Sequence, residues 1–563
     1  MTPSRSGARA GEPDGIADAG RRSGVGRGGS AAGGAPKSSR TLAEIAVLVA
    51  AAAAIRFLGI GEEPLWLDEA NSVLIAWKDL PGIVDALSRD GNPPVFYFLL
   101  HFWSRIFGSS EAAVRALPAL LGVLGVAGVY WAGRIFFPAR KRLPIIAGAI
   151  AALGPLHIYY SQECRMYTLS PLLGLFALAS LHLFLETARL RHLILHAAFL
   201  AIGLYTHNYF LFLLPAGPAI AWCASGMIER RKAFALAGAA ALAALVLYLP
   251  WMPILLQQSR SGVDAWIPRL WRGTPPWAAF FRSIEAVGVG GAFPPYLKQL
   301  TLMSGVLPAE VRWPMRVVGG LLAVGLPILG VAAALRAGQE RRSAVRLAIF
   351  FLLPLALPIA ASFLLKPIYL VGRYEMVAFS AFALLAARGL DELAASRDAG
   401  RRPTAIACAI AWLAGAVVCQ AAGRAAEVPH GDYRIAEWLR SRSRSEDVAI
   451  LPGYTRTVPE LYSRIWRTPG TRLSFPETVE RHLGWYDEAA ALARPTEVRA
   501  EAAALAHRLR RTLDPSARVI VFASNLTAPE INGWLLQALA ETLGKPQMHE
   551  GKSLTIVVFG PPL

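Results

Sequence analysis

The chain has 563 residues, of which 54% are hydrophobic and 17% charged, and its formal net charge is +18. Soluble domains carry about 25% charged residues, so this composition excludes an array of soluble domains and indicates a large membrane domain with a smaller polar part. Most Arg and Lys residues lie in short clusters between apolar runs, which favours membrane topology over nucleic-acid binding. The four cysteines form no Cys-x-x-Cys pair, so we predict neither a disulfide framework nor a thiolate metal site.

The amino-terminal segment 1–41 is rich in Gly, Ser, Ala and Arg and is predicted to be a disordered cytoplasmic tail. The segment 42–422 then contains eleven apolar runs, most of them near the roughly 20 residues that a transmembrane helix needs. The predicted spans are 42–60, 112–137, 143–160, 167–185, 190–205, 209–227, 233–251, 313–335, 345–365, 368–387 and 403–422.

Basic clusters set the predicted orientation, because cytoplasmic loops carry an excess of Lys and Arg. The clusters fall in alternate loops at 140–142, 189–191, 230–232, 336–342 and 397–402. They share a side with the basic tail, so the amino terminus is predicted inside and the carboxyl terminus outside. Two long outer loops result, 61–111 and 252–312. Within the first, the apolar stretch 93–107 is short for a span and is predicted to lie in the membrane interface.

The composition becomes polar in the segment 423–563. Buried strands are predicted at 448–451, 519–522 and 554–559, and helices at 433–442, 496–511 and 529–543. Alternation of this kind is typical of an α/β domain with a mostly parallel sheet. We therefore expect a polytopic α-helical protein of about eleven transmembrane helices with a carboxyl-terminal extracytoplasmic α/β domain.

Asp68 and Glu69 are adjacent carboxylates that follow the first predicted span, just after Trp66. A solvated loop, or a helix near Ala70 capped by Asp68, would explain them without any function. An ionisable group at the membrane exit is nevertheless a functional candidate. Four further polar motifs fall on the same predicted face of the membrane, which strengthens that interpretation. They are Asn92 to Tyr97, Tyr159 to Tyr167, Tyr205 to Phe210, and Lys366-Pro367 with Gly372 to Tyr374.

Over residues 42–387 the combination of motifs resembles glycosyltransferase family 39, the bacterial relatives of protein O-mannosyltransferases and of the lipid A aminoarabinose transferase, within the membrane-embedded GT-C class. One departure is Asn92, where relatives often carry a basic residue before the Pro-Pro pair. The motifs that carry the resemblance are Arg56 near the end of the first span, Trp66 to Glu69, Pro93 to Phe98, Ser161 to Tyr167, Thr206 to Phe210, and Arg373-Tyr374.

The resemblance implies transfer of a sugar from a polyprenyl phosphate to an acceptor hydroxyl at the outer face of the membrane, with inversion. It implies Asp68 as general base, with Glu69 orienting the acceptor or a cation. Arginine suits phosphate oxygens, so the implied donor-phosphate residues are Arg165 and Arg373, with Lys366 and Arg56 behind them. Snorkelling from the end of a span is an alternative role for Arg56. The implied substrate-positioning residues are Tyr160, Gln162, Tyr167, His207, Tyr374 and Asn92.

No metal cluster is visible in the sequence, and the pair Asp68-Glu69 supplies two ligands for a divalent cation, too few to define a site. The expected partners are the lipid-linked donor, a lipid, glycan or protein acceptor, and the bacterial inner membrane, without nucleic acid. A transporter or flippase of a lipid-linked saccharide is the alternative function, although no paired halves are evident. A scaffold for envelope assembly is a third. The sequence names neither the sugar nor the acceptor.

Overall fold

The structure is a computed structural model that describes residues 37–260, 267–271, 275–289, 309–396, 398–425, 431–481, 486–524, 527–550 and 554–561. Most of the predicted tail and part of the second predicted outer loop lie outside these ranges. The chain divides into a short amino-terminal unit, Met1–Ala43, and one large unit, Glu44–Leu563, which holds both the helical bundle and the carboxyl-terminal sheet.

The helical part comprises eighteen α-helices within the described residues. Helices α1 to α9 are Lys37–Phe57, Leu67–Ala76, Leu80–Ser88, Val95–Phe107, Glu111–Phe136, Leu143–Leu153, Pro155–Ser161, Leu169–Thr187 and Leu190–Leu204. Helices α10 to α18 are Ala216–Cys223, Arg230–Tyr248, Met252–Arg260, Ile267–Leu270, Pro276–Val289, Ala309–Arg336, Arg341–Leu364, Phe379–Ala395 and Arg401–Ala425. Short 3₁₀ segments at Asn208–Leu213, Leu249–Trp251 and Tyr374–Ala378 connect some of them.

Six described helices are long and apolar enough to cross a membrane, or seven if the bent pair α6–α7 counts as one span. The sequence predicted eleven spans, and the difference has local causes. The run predicted at 209–227 is a 3₁₀ segment followed by the eight-residue α10, and the run at 368–387 becomes α-helical only at Phe379. Helix α9 spans 15 residues, fewer than the roughly 20 that a bilayer requires.

The bent pair α6–α7 changes direction by 58° at Gly154-Pro155. Proline cannot donate the backbone hydrogen bond that would continue α6, and it disfavours helical geometry in the residue before it. A side chain at Gly154 would also collide with the ring of Phe379, since a Cβ there would lie 2.6 Å from the ring. The bend directs α7 and the connection 162–168 toward the residues that form the candidate site.

Helix α4 is amphipathic, as the short apolar stretch 93–107 predicted. Phe96 and Leu100 are fully buried, whereas Leu99, Phe102 and Ile106 on the opposite face are exposed. An exposed apolar stripe on a short helix suits the membrane interface. Its depth in a bilayer stays a prediction.

The carboxyl-terminal part forms a five-stranded sheet with the strand order β2-β1-β3-β5-β4. Strands β1 to β5 are Val448–Pro452, Thr471–Phe475, Val519–Ser524, Gln547–Glu550 and Leu554–Phe559. Helices α19 to α24 are Gly431–Arg442, Thr457–Trp466, Thr478–Arg481, Glu488–Leu492, Pro495–Thr512 and Pro529–Leu543. The strands and helices named from the sequence are present, but the sheet is mixed: β1 is parallel to β2 and β3, whereas β5 is antiparallel to β3 and β4.

Helix α20 of this domain packs directly against α2, the helix that carries Asp68. Val458 and Leu461 share a buried apolar cluster with Val73 of α2. The hydroxyl of Tyr462 accepts a hydrogen bond from the backbone N–H of Leu65 at 2.8 Å and donates to the carboxylate of Glu111 at 2.8 Å. The carboxyl-terminal domain therefore helps to fix the segment that leads into α2.

Candidate functional site

The two adjacent carboxylates have different environments. Helix α2 begins at Leu67 with Trp66 in the capping position, so both acids lie in its first turn, where the helix dipole favours negative charge. Asp68 therefore does not cap a helix that begins near Ala70, which was the structural alternative. Glu69 is 1% exposed, whereas the side chain of Asp68 retains 28% of its exposure.

Glu69 is fully engaged in a structural ion pair. Its two oxygens accept hydrogen bonds from Nε and Nη2 of Arg115 at 2.8 and 2.6 Å. It also accepts from the backbone N–H of Cys164 at 2.8 Å. Arg115 donates in addition to the carbonyl of Glu63 at 2.7 Å. These contacts leave no room for the predicted acceptor-orienting role, so Glu69 anchors α2 to α5 and to the connection 162–168.

Asp68 faces a different cation. Its Oδ2 lies 3.7 Å from Nη1 of Arg373, a residue that is itself only 7% exposed. This distance is too long for a hydrogen bond, but it allows a strong electrostatic attraction between the two side chains. Asp68 thus combines access from outside with a nearby fixed positive charge.

Arg165 is the second cation at this place. It is 6% exposed, and its Nη1 donates to Ser72 Oγ at 3.2 Å and to the hydroxyl of Tyr97 at 3.3 Å. The ring centroid of Tyr167 lies 5.2 Å from the guanidinium carbon of Arg373 and 5.9 Å from that of Arg165, within cation–π distance of both. The Nε atoms of both arginines have no hydrogen-bond partner among the described residues. Two buried guanidinium groups with unused donors are suited to an anion.

Three aromatic side chains, those of His207, Tyr209 and Tyr374, pack together beside the two arginines. His207 lies edge-on to Tyr374, with centroids 5.1 Å apart, and Tyr209 stacks on Tyr374 at 3.9 Å. Burial, together with Arg165 and Arg373, lowers the pKa of His207 to about 3, so its imidazole is neutral. A small cleft here is lined by Tyr167, Ser170, His207, Tyr209, Phe210, Arg373, Tyr374, Met376 and Val377. The structure thus brings together Asp68, Arg165, Tyr167, His207, Arg373 and Tyr374.

Three other predicted site residues form the framework instead. Arg56 is fully buried, and its guanidinium contacts Ser161, His157 and the carbonyls of Ala52, Ala151 and Ala152. All of its donors are used, so neither phosphate binding nor snorkelling describes it. The amide of Gln162 donates to carbonyls at the end of α1, including that of Arg56 at 3.1 Å. The hydroxyl of Tyr160 donates to the carbonyl of Gly372 at 2.5 Å.

Two predicted residues lie at the edge. Lys366 is exposed and donates to the carbonyl of Ser259 at 3.2 Å. Asn92 donates to Asp90 at 2.7 Å, and Asn71 of α2 donates to the other oxygen of Asp90 at 3.1 Å. Asn92 therefore acts with the missed residue Asp90 to connect the Pro-Pro segment to α2. Within the described ranges, no group of three or more His, Cys, Asp or Glu side chains could hold a metal ion.

Sequence reasoning also missed Glu163. It is 4% exposed, and neither carboxylate oxygen has a hydrogen-bond partner among the described residues. Burial raises the pKa of Glu163 to about 8, although Arg373 opposes the shift. The available signal was its position inside the Ser161 to Tyr167 motif, between residues already chosen as candidates.

Residues 91–252 match the family model described as dolichyl-phosphate-mannose-protein mannosyltransferase. ArnT from Cupriavidus metallidurans in the apo state is 14% identical, with a TM-score of 0.58 over 93% of this chain and 100% of that chain. The chain has the GT-C fold. The resemblance drawn from the motifs is thereby confirmed, and the mostly helical architecture with a small carboxyl-terminal sheet domain agrees with it.

Two further structures show the same GT-C fold. ArnT from Cupriavidus metallidurans bound to undecaprenyl phosphate is 14% identical, with a TM-score of 0.56 over 94% of this chain and 100% of that chain. The Archaeoglobus fulgidus oligosaccharyltransferase in the apo form is 13% identical, with a TM-score of 0.51 over 87% of this chain and 70% of that chain. No curated protein sequence matches the chain. The chain is a multi-pass membrane protein with the GT-C fold.

Proposed function

We propose that the chain transfers a sugar from a polyprenyl phosphate to an acceptor hydroxyl at the outer face of the bacterial inner membrane. The observation that carries the proposal is the juxtaposition of Asp68, the accessible carboxylate, with two buried arginines that have unused donors. ArnT from Cupriavidus metallidurans, which shares the fold, has been seen bound to undecaprenyl phosphate. An anion site beside a carboxylate is what transfer from a phosphate-linked sugar requires.

Asp68 serves as the general base in this proposal. An acceptor hydroxyl must lose a proton as it attacks the anomeric carbon, and a carboxylate within hydrogen-bond reach can take it. Asp68 retains the access that this role needs, whereas Glu69 is buried against Arg115. Arg373, 3.7 Å from Asp68, keeps the carboxylate oriented between turnovers.

Arg165 and Arg373 bind the donor phosphate and stabilise the charge that accumulates on it as the glycosidic bond breaks. Preorganised donors in a site of low dielectric constant are effective at this because they need no reorganisation during the reaction. The ring of Tyr167 makes cation–π contacts with both guanidinium groups and helps to hold them in place. In-line attack from the Asp68 side inverts the anomeric centre.

The test is an in vitro transfer assay with purified protein and a panel of polyprenyl-phosphate sugars, hexoses and pentoses, offered with lipid, glycan and protein acceptors. We expect turnover with one donor class and loss of turnover in Asp68→Asn. Turnover that Asp68→Asn leaves unchanged, in protein that purifies normally, would contradict the mechanism.

A flippase for a lipid-linked saccharide is the second candidate, because the interrupted helix α6–α7 is a feature that transporters share. Liposomes that contain the purified chain and a labelled lipid-linked sugar separate the two functions. Translocation of the label without transfer would support the flippase, and transfer without translocation supports the glycosyltransferase.

A further inference from the structure

Glu163 lies in the connection 162–168 and interacts electrostatically with both buried arginines, yet it forms an ion pair with neither of them. No described cation lies within ion-pair distance of its carboxylate, and both of its oxygens are buried without a hydrogen-bond partner among the described residues. A buried carboxylate in that condition is costly, because its charge has left water without gaining a partner. A buried carboxylic acid that keeps its proton avoids most of the cost.

The charges around Glu163 come from several elements of the fold. Its electrostatic neighbours are Arg373, Glu69, Asp68 and Arg165, together with Tyr159, Tyr160 and Cys164. The two cations favour ionisation of Glu163 and the two carboxylates oppose it. Burial therefore decides the balance and raises the pKa of Glu163 to about 8.

We propose that Glu163 is held as an un-ionised carboxylic acid and donates its O–H to an oxygen of the donor phosphate, beside the guanidinium groups of Arg165 and Arg373. This inference rests on the proposed function and adds a residue to its phosphate site. An un-ionised acid gives an anion a hydrogen-bond donor. An ionised one would put a negative charge next to the phosphate and repel it.

The sign of the pH dependence follows from this arrangement. The protonated form of Glu163 binds the phosphate, and it is depleted as pH rises through its pKa of about 8. A ligand that binds only when a group with this pKa is protonated binds up to about tenfold more weakly at pH 9 than at pH 7. The second ionisation of a phosphate monoester lies near pH 6, so the lipid phosphate keeps its charge across this range.

Two neighbouring groups, Cys164 and His207, do not imitate this effect, whereas Glu375 does lose a proton in this pH range and needs its own variant. Burial raises the pKa of the Cys164 thiol well above its usual value, and the pKa of His207 is lowered to about 3, so neither titrates between pH 7 and 9. Glu375 is the matched control. It is also fully buried, burial raises its pKa to about 7, and one of its oxygens already accepts from the backbone N–H of Gly372 at 2.7 Å.

The experiment measures the Kd of undecaprenyl phosphate for the full-length protein in nanodiscs at pH 7 and pH 9. The wild type should bind up to about tenfold more weakly at pH 9. Glu163→Gln, a neutral amide that keeps donor capacity, should bind at pH 7 like the wild type and lose most of the decline. Glu375→Gln should keep the decline. The size-exclusion profile and melting temperature of each variant check its folding.

The outcomes separate the inference from the proposed function. No binding of undecaprenyl phosphate by the wild type at either pH would contradict the proposed phosphate site itself. Binding with a decline that persists in Glu163→Gln would overturn only the role of Glu163. Tighter binding by Glu163→Gln at pH 7 would show an ionised counter-ion instead and would also overturn it. If Glu163→Gln does not fold, infrared difference spectra of Glu375→Gln decide, because they exclude the carboxyl group of Glu375: loss of a protonated-carboxyl band between pH 7 and 9 supports the inference, and its absence overturns it.

Discussion

Two clusters of charged side chains in the helical part differ in how completely they are paired. One joins Arg140 and Arg388 to Glu340, each at 2.6 Å, with Arg388 also 2.9 Å from Glu392. The other surrounds Asp68, whose nearest cation, on Arg373, is 3.7 Å away. In the second cluster Arg165 has no carboxylate side chain within ion-pair distance among the described residues.

This difference separates charged side chains that hold helices together from charged side chains that can bind a ligand. Short, mutual ion pairs neutralise one another and tie helices together, so they offer little to a ligand. Buried groups with unused donors keep their capacity for one. Among the described residues, four polar atoms of the second cluster lack a hydrogen-bond partner, namely Nε of Arg165, Nε of Arg373 and both oxygens of Glu163, against one, Nη2 of Arg388, in the first.

The largest expected effect is that of Asp68→Asn on turnover. The change keeps the size of the side chain and removes the base, and loss of a general base costs about 10²–10⁴ in rate. Transfer by the purified variant measures it, with Asp85→Asn as the control, since Asp85 pairs with Arg89 on the exposed surface of α3. Equal losses in the two variants would show that Asp68 has no special role in transfer.

Glu69→Gln should act on stability rather than on chemistry. It leaves the charge of Arg115 buried without compensation, and breaking a buried pair costs about 3–5 kcal/mol. Thermal unfolding in detergent measures the loss. A variant with normal stability and a selective defect in transfer would show that Glu69 takes part in catalysis.

Arg373→Gln should weaken donor binding with less effect on stability. A hydrogen bond to a charged group contributes about 1.5–3 kcal/mol, which corresponds to roughly 10–150-fold in the KM for the donor. Arg140→Gln, from the cluster around Glu340, is the control and should lower the melting temperature while KM stays near its normal value. An exchange of these two phenotypes would contradict the comparison.

Tyr462→Phe tests the contact between the carboxyl-terminal domain and α2. It removes the acceptor of the Leu65 N–H and the donor to Glu111, for a loss of about 1–3 kcal/mol in stability. Because α20 packs on α2, we expect a truncation after residue 422 to lower transfer as well. Full activity in a stable truncation would show that α2 holds its position unaided.

The smallest effect concerns stability and Glu163. Its pKa is about 8 in the folded protein, above its ordinary value, so the folded state retains a proton that the unfolded chain releases. The stability that this provides is complete below the unfolded pKa and declines as pH rises toward 8. The melting temperature of the wild type should therefore fall more between pH 6 and 9 than that of Glu163→Gln. Equal changes of the melting temperature with pH in the two proteins would show that folded Glu163 does not retain a proton.

Much of the carboxyl-terminal fold could be predicted because its core strands are apolar runs. Strands β1, β3 and β5 carry that signal. Strand β4 reads Gln-Met-His-Glu and β2 reads Thr-Arg-Leu-Ser-Phe, so neither shows a continuous apolar pattern. The antiparallel edge of the sheet was missed for this reason. Fewer candidate spans lie among the described residues than the eleven apolar runs, because hydropathy does not reveal where 3₁₀ turns and prolines interrupt an apolar run.

The sequence motifs predict which segments form the candidate site. They do not predict what each side chain contacts. Gln162 shares a motif with Arg165, and Arg56 was chosen in the same set as Asp68, but both side chains bind carbonyl groups at helix ends instead. Which way a residue in a turn points depends on packing with distant elements, which spacing does not encode. Arg115 was missed because it lies inside an apolar helix, where its partner Glu69 becomes apparent only in three dimensions.

The central claim is that the unused donors of Arg165 and Arg373 receive the phosphate of a lipid-linked donor beside Asp68. The most direct measurement is a cryo-EM structure of the full-length protein with undecaprenyl phosphate. We expect the phosphate within hydrogen-bond reach of both guanidinium groups, beside the ring of Tyr167. A phosphate bound instead at the cluster of Arg140 and Arg388, or away from both arginines, would contradict it.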